Sequence, residues 1–454
     1  MALTRLLEIC LCAGLILVLD ACSPSTRQRA PVPTVTSDAG DDCTTTGTCD
    51  LGSGEECAAG ESTAVKGVLY APNGVDPVPR AHIYVPATTL VPFSAQVACD
   101  GCVGTSTALT STITEFDGTF RLDKVPPGDA VKVVAELGRF RRVVTMKVQQ
   151  CKQNAIPHDP TLAIGGIRLP GKDGDLDPED HAPHIAVATG DFDQIECVLK
   201  RMGITQIDLY DDRNSATPPT VGTFESLLTD LDKMKNYNLL VVNCTENQYE
   251  SILQEPGVLS NIEQYIGAGG RLYANDWADD MIAQVPQFLP YMCFVPGGLS
   301  TAMAPATCPT TPNQPRVNHV TNPYNYDTQA TIEDMTLKKW LAYFPQSLQN
   351  DLMSIYYSFV VVDQAGPDPN YPATTWVDAP LPLTSASLGV RPLTVTFDYN
   401  HCGRVHYSTY NTEPSGGVSG TRYPDCGGRT TFYPQERVLE YLMFQITDCV
   451  STIN

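Results

Sequence analysis

The stretch from Asn238 to Asp280 constrains the fold most. It opens with a near-continuous apolar run, Leu239-Leu240-Val241-Val242, and passes into the polar string Asn243-Cys244-Thr245-Glu246-Asn247. A strand whose two faces are both covered by helices reads this way. Apolar residues then recur at 258, 259, 262 and 266, which predicts a helix from Val258 to Ile266. Gly267-Ala268-Gly269-Gly270 stops that helix, and Arg271-Leu272-Tyr273-Ala274 forms a second strand ending in Asn275-Asp276-Trp277. The result is a βαβ unit with both polar strand ends pointing the same way. Ligands of open α/β sheets sit outside those carboxyl ends.

The same alternation surrounds this unit. His184 to Thr189 is a strand that ends in Gly190-Asp191-Phe192-Asp193, and Gln194 to Met202 is a helix with Ile195, Val198, Leu199 and Met202 on one face. Ile207 to Tyr210 is the next strand and Phe224 to Met234 the next helix. Strand and helix in alternation predict a doubly wound parallel α/β domain over residues 184–454. Residues 286–388 are rich in Pro and Asn and are expected to be an insertion packed over the sheet, with a helix from Ile332 to Phe344. Leu393 to Phe397 and Arg404 to Tyr410 resume strand patterning, and Pro434 to Ile446 closes the chain as a helix.

At the other end, Arg5 precedes an apolar run from Ile9 to Leu19. The run is too short for a permanent membrane span and reads as a signal-peptide core. Leu19-Asp20-Ala21-Cys22 resembles a bacterial lipobox, which implies a signal peptide over 1–21, a lipid on Cys22, and an exported, membrane-anchored protein at the periplasm or cell surface. Residues 22–61 form a flexible Cys-containing tether. The formal net charge of −22 disfavours nucleic acid as a partner. Of the 16 cysteines, Cys10 and Cys12 leave with the signal. An exported chain with many cysteines predicts disulfides, and neighbours in sequence suggest Cys99–Cys102, Cys293–Cys308 and Cys402–Cys426. Cys197 and Cys244 fall on apolar faces and read as buried free thiols. No metal site is expected: Cys99-Asp100-Gly101-Cys102 lacks a second pair of ligands.

Residues 62–169 change pattern to short strands punctuated by Pro and Gly, which argues for a β-sandwich. Val65-Lys66-Gly67-Val68, Pro72-Asn73-Gly74, Pro79-x-Ala81-x-Ile83, Asp117-Gly118-x-Phe120 and Pro126-Pro127-Gly128 resemble the transthyretin-like carboxypeptidase regulatory-like domain. The resemblance implies a non-catalytic module, and related sandwiches bind glycans. A Cys-containing insert between Thr88 and Leu109 departs from the pattern. Residues 170–183, PGKDGDLDPEDHAP, read as an acidic solvated linker: Asp173, Asp175 and Asp177 alternate as in a calcium loop, but Pro178 stands where the loop needs Gly.

The 184–454 region carries a second resemblance. A strand, a polar loop, a helix, Gly269-Gly270-Arg271-Leu272-Tyr273-Ala274 and a charged elbow resemble the flavodoxin-like, class I glutamine amidotransferase-like fold, especially its trehalose-utilisation branch. Cys402-Gly403-Arg404-Val405-His406-Tyr407-Ser408-Thr409-Tyr410 resembles the late strand that delivers a His in that fold. The whole arrangement resembles a family of myxobacterial lipoproteins that pair this fold with the sandwich. The catalytic parts do not carry over. The elbow Asn275-Asp276-Trp277 holds neither Cys nor Ser, and Asn411 stands at the expected His position. Cys244 and His406 read as a buried thiol and a satisfied sheet histidine. What remains at the strand ends is Asp191, Asp193, Asn243, Thr245, Glu246, Asn275 and Asp276. These groups suit sugar hydroxyls or a cation, or, through Asp193 and Asp276, hydrolysis of a carbohydrate or amide bond. Helix capping by Asp191, Asp193 and Asp276 is the plainer alternative. The expected function is binding or assembly at the cell envelope, with the membrane and a glycan or envelope protein as partners and no cofactor.

Overall fold

The structure, a computed structural model, describes residues 57–58, 61–99, 108–159, 162, 165–211, 220–245, 249–295, 326–381, 389–413 and 423–446. These belong to one compact unit, Leu51–Asn454. The signal segment and Cys22, Cys102, Glu246 and Cys308 lie outside the described residues.

Eight short strands come first: β1 (Ala64–Tyr70), β2 (His82–Pro86), β3 (Ala108–Ile113), β4 (Thr119–Asp123), β5 (Gly128–Leu137), β6 (Phe140–Val148), β7 (Gln153–Ala155) and β8 (Ile167–Arg168). They form two four-stranded sheets, one of β4, β1, β7 and β8 and one in the order β3-β2-β5-β6. β-Branched residues alternate along them, so Val65 and Leu69 from one sheet and Ile83, Val85, Val133 and Ala135 from the other share a buried core.

The α/β region follows as β9 (Ile185–Ala188), α1 (Ile195–Arg201), β10 (Ile207–Asp211), β11 (Gly222–Thr223), α2 (Phe224–Leu228), α3 (Leu231–Met234), β12 (Leu239–Val242), α4 (Tyr249–Leu253), α5 (Val258–Gly267), β13 (Arg271–Asn275) and α6 (Asp280–Ala283). Next come β14 (Met292–Phe294), β15 (Tyr326–Ile332), α7 (Met335–Ala342), β16 (Met353–Ser358), β17 (Val362–Ala365), β18 (Ala373–Pro380), β19 (Val390–Tyr399), β20 (Gly403–Ser408) and α8 (Pro434–Ile446). The main sheet has ten strands in the order β11-β10-β9-β12-β13-β20-β19-β18-β15-β16. From β11 to β20 neighbouring strands are parallel, and beyond β20 they are antiparallel. The apolar run of β12 is read on both faces: Leu239 and Val241 point into the core shared with α1, α8 and the small sheets, Leu240 and Val242 into the core under α2 and α5. The strand order reverses between β9 and β12, with β10 and β11 added on one side and β13 and β20 on the other, which places the topological switch point beside Thr189 and Asn243.

Two expectations need correction. The segment 286–388 does not simply lie over the sheet: β15, β16 and β18 extend it in plane, and β14 pairs with β17 beside it. Alternating burial in Ala373–Pro380 carries this strand character through a Pro-rich context. The single helix expected from Phe224 to Met234 is broken in two, because Asp230 turns its side chain onto the Lys233 amide and starts α3 as an N-cap.

The acidic stretch 170–183 is ordered by specific bonds. Asp180 takes Arg142 Nη1 at 2.7 Å and the amides of Val143, Leu176 and Asp177, and Asp173 takes His181 Nδ1 at 2.7 Å. Further ties join the small sheets to the large one. Trp340 Nε1 donates to Pro77 O at 2.7 Å, and Arg437 pairs with Asp76 at 2.8 Å. Among the described residues no helix is long and apolar enough to cross a membrane.

Cysteine pairing also differs from the local expectation. Cys57 joins Cys151, Cys99 joins Cys402, and Cys197 joins Cys426. Cys197 is therefore not a free thiol, whereas Cys244 is free and buried. Cys293 is disulfide-bonded. Folding brings together cysteines 303 and 229 positions apart, and proximity in sequence carries no information about such pairs.

Candidate functional site

The loop after β9 enters the switch point at Gly190. A Cβ there would sit 2.4 Å from Cys244 O and 2.7 Å from Asn243 Cβ, so only Gly lets this loop press against the end of β12. Phe192 N donates to Cys244 O at 3.2 Å, and Thr245 Oγ1 donates to Asp191 Oδ2 at 3.0 Å. Asn243 reaches across: its Oδ1 accepts the Ile195 amide at 3.0 Å and its Nδ2 donates to Glu196 Oε2 at 2.8 Å. The first turn of α1 is thus satisfied by a residue of a neighbouring strand. Neither Asp191 nor Asp193 supplies the capping that sequence spacing suggested.

Asp193 is a buried hub instead. Its Oδ1 accepts from Gln194 N at 2.8 Å and Thr412 Oγ1 at 2.5 Å, and its Oδ2 accepts from Asn275 Nδ2 and Thr412 N, both at 2.7 Å. Two strand-end residues singled out from the sequence, Asp193 and Asn275, therefore meet directly. Thr412 was missed, since nothing in its local sequence marks it as a donor to a residue 219 positions earlier. Burial pushes the Asp193 carboxyl up to about 6, against the pull of its donors.

Asp276 follows β13 on a sharp elbow with φ of 44°, a sparsely populated conformation for a residue with a Cβ. The elbow is held from several sides. Phe359 N donates to Asp276 Oδ1 at 3.2 Å, Cys244 Sγ lies 3.6 Å from Oδ2, and Tyr407 Oη donates to Asp276 O at 2.8 Å. Asp276 does not cap its own helix. Burial first, and the nearby Asp279 second, push its carboxyl well above the usual range. Burial likewise pushes the Cys244 thiol well up, with Asp276 adding to it, which disfavours the thiolate.

The late-strand position expected for a His is taken by Asn411. This residue is buried, and its Oδ1 lies 3.5 Å from Asn275 Nδ2. His406 is buried mid-strand against Tyr273, with ring centroids 5.3 Å apart, and its Nδ1 bonds Thr396. Burial pushes it down to about 3, which keeps it neutral. Of the described strand-end candidates, Asn243, Thr245, Asn275, Asp193 and Asp276 are buried, and Asp191 alone retains partial exposure. Beside it stands the half-buried Phe192, whose ring meets Trp277 edge-on at 5.2 Å. Among the described residues no group of three His, Cys, Asp or Glu side chains is placed to hold a metal ion.

No family model matches this chain, and no curated protein matches it. Among solved structures, a cytoplasmic protein, STM3548, from Salmonella typhimurium aligns at 12% identity with a TM-score of 0.31, over 58% of this chain and 98% of its own. A ThuA-like protein from Parabacteroides merdae aligns at 12% identity and a TM-score of 0.28, over 56% of this chain and 97% of its own. A β-galactosidase from Bacillus circulans aligns at 10% identity and a TM-score of 0.28, over 59% of this chain and 32% of its own.

An acid that holds its proton more tightly when folded stabilises the fold most below its unfolded value, and that contribution is lost as pH rises through the folded value. For Asp193 this window runs from about 4 to about 6. Asp193→Asn is expected to flatten the fall in stability across this window. At pH 7 it is expected to cost about 2 kcal/mol, because its amide turns a donor toward donors. Urea unfolding of both proteins between pH 4 and pH 8 checks both effects; an unchanged slope would show that Asp193 does not titrate there.

Proposed function

We propose that this protein is a lipid-anchored, non-catalytic binding protein of the cell envelope. Its α/β region serves as an amidotransferase-like scaffold, and its two small sheets form a carboxypeptidase regulatory-like sandwich. The observation that carries the non-catalytic reading is the burial of Asp193 and Asp276 within the protein's own hydrogen bonds. Asp193 already accepts four protein hydrogen bonds, and Asp276 is buried beneath the Phe359 amide contributed by the insertion. A general base or nucleophile needs a lone pair free for substrate.

Glycan is the ligand class favoured, through Asp191 and the Phe192–Trp277 aromatic pair. A partly exposed carboxylate beside an apolar ring suits a sugar's hydroxyls and its C–H face. The anchor rests on Leu19-Asp20-Ala21-Cys22. A hydrolase acting on a carbohydrate or amide is the second reading, favoured by the positive φ of Asp276, since strained elbows concentrate at active sites.

Three outcomes are expected. The wild-type chain releases no ammonia from glutamine and no sugar from aryl glycosides, and Asp276→Asn behaves identically; turnover that Asp276→Asn abolishes would establish the hydrolase. On a broad glycan array the full chain retains at least one polysaccharide, and Asp191→Asn weakens that binding about tenfold, the worth of one charge-assisted hydrogen bond; a blank array removes the glycan. Palmitate labelling in a bacterial host marks the wild type and is lost in Cys22→Ala, whereas an unlabelled wild type removes the anchor.

A further inference from the structure

The insert between β2 and β3 is left unexplained by the strand-end site. Its described part, residues 87–99, leaves the small sheets and crosses to the amino-terminal edge of the large sheet. Arg139 Nη1 donates to Ser94 O at 2.9 Å and Arg141 Nη1 to Val91 O at 2.8 Å. Phe93 stacks on His181, with ring centroids 4.6 Å apart. On the far side, Val97 N donates to Lys235 O at 2.8 Å, and Gln96 Nε2 donates to Asn236 Oδ1 at 3.2 Å. Ala98 lies so close to the turn before β13 that a Cβ on Gly269 would fall 2.2 Å from Ala98 O. The segment ends in the disulfide from Cys99 to Cys402. Arg271 Nη1 fixes Cys402 by donating to its carbonyl at 2.8 Å.

Against this segment lies a half-open pocket of about 500 Å³, lined by Leu90, Phe93 and Ala95 together with His181, His184 and Gln206. We propose that residues 87–99 are a strap forming one wall of this pocket, and that the Cys99–Cys402 disulfide is its latch. The latch is placed to open first. Cys99 is exposed and its partner Cys402 buried, whereas Cys197 is buried and Cys57, Cys151 and Cys426 are partly covered, so Cys99 is the most accessible of these sulfurs. Thiol–disulfide exchange needs access to a sulfur. A thiolate of a small dithiol attacks Cys99 Sγ, and Cys402 leaves as a thiolate and takes up a proton. The dithiol's second sulfur then displaces Cys99, so two protein thiols and one oxidised dithiol result. Once released, the far end is held by Val97 and by exposed polar bonds that are individually weak. The far end of the strap then moves away, while Arg139, Arg141 and His181 keep the near end, and the pocket widens for a small polar ligand.

Amide exchange on the full chain tests this, with chymotryptic cleavage after Phe93 as a second readout. In Cys99→Ser, exchange across 90–99 is expected to speed up by about tenfold or more, with Leu240 and Leu272 in the large sheet unchanged. Cleavage after Phe93 is expected in the variant and not in the wild type. Graded treatment of the wild type with dithiothreitol, followed by alkylation and mass mapping, is expected to label Cys99 and Cys402 before Cys57, Cys151, Cys197 and Cys426. The proposal is overturned if the strap stays protected in Cys99→Ser. It is also overturned if strap and sheet lose protection together, or if a non-reducing map pairs Cys99 with Cys102.

Discussion

The carboxylate of Asp193 ties together parts of the α/β region that the chain keeps far apart. Its four donors come from the start of α1, the end of β13 and the loop after β20. Removing a carboxylate from water is costly, and the cost is tolerable only when its lone pairs find donors of good geometry. Here every donor is a neutral amide or hydroxyl, with no cation in direct contact, which is why burial still wins and the proton is held to about 6. Once Asp193 is in place the rest of the strand-end layer has few choices. Asn275 is oriented by it, Thr412 is pinned by it through both backbone and side chain, and α1 takes its satisfaction from Asn243 instead.

A second set of buried charges holds the small sheets to the 170–183 stretch and to α8, and it works differently. Arg142 pairs with Asp180 at 2.7 Å and Asp159 at 3.5 Å, and Arg437 pairs with Asp76 at 2.8 Å and with Glu440. Buried ion pairs of this kind add little net stability relative to apolar packing, but breaking one partner leaves an uncompensated charge. Their effect is to fix how the halves meet. Stability comes from the continuous apolar core in which Leu69 and Val133 of the small sheets lie with Val187, Leu199 and Met443.

Much of this was legible before any coordinates. The runs Ile185–Ala188 and Leu239–Val242 announce two-sided burial, and both are central parallel strands. Helix α8 begins at the Pro434 that its first turn favours and ends at Ile446 as its apolar period indicates. The polar residues that follow the parallel strands could be named, because carboxyl ends of such strands are where chains place them. Their partners could not. Asn275 lies 82 positions from Asp193 and Thr412 lies 219, and no local pattern encodes a bond closed by tertiary packing. The same holds for Cys99, whose near neighbour in sequence is Cys102 and whose bonded partner lies on the β19–β20 turn. Strand character within 286–388 was hidden for another reason. Proline and asparagine depress it locally, yet pairing with β19 along the whole of β18 overrides that tendency.

The elbow at Asp276 separates what a fold preserves from what a site needs. A residue with a Cβ held at φ of 44° costs on the order of 1–3 kcal/mol, and such geometry persists only where the surroundings over-determine it. Here they do: β20 grips the carbonyl through Tyr407, the insertion grips one carboxylate oxygen through the Phe359 amide, and Cys244 abuts the other. The bent backbone is thus held in place by the sheet and its insertion. Asp191 is the one described strand-end candidate with solvent access, because it stands at the rim of the layer rather than inside it.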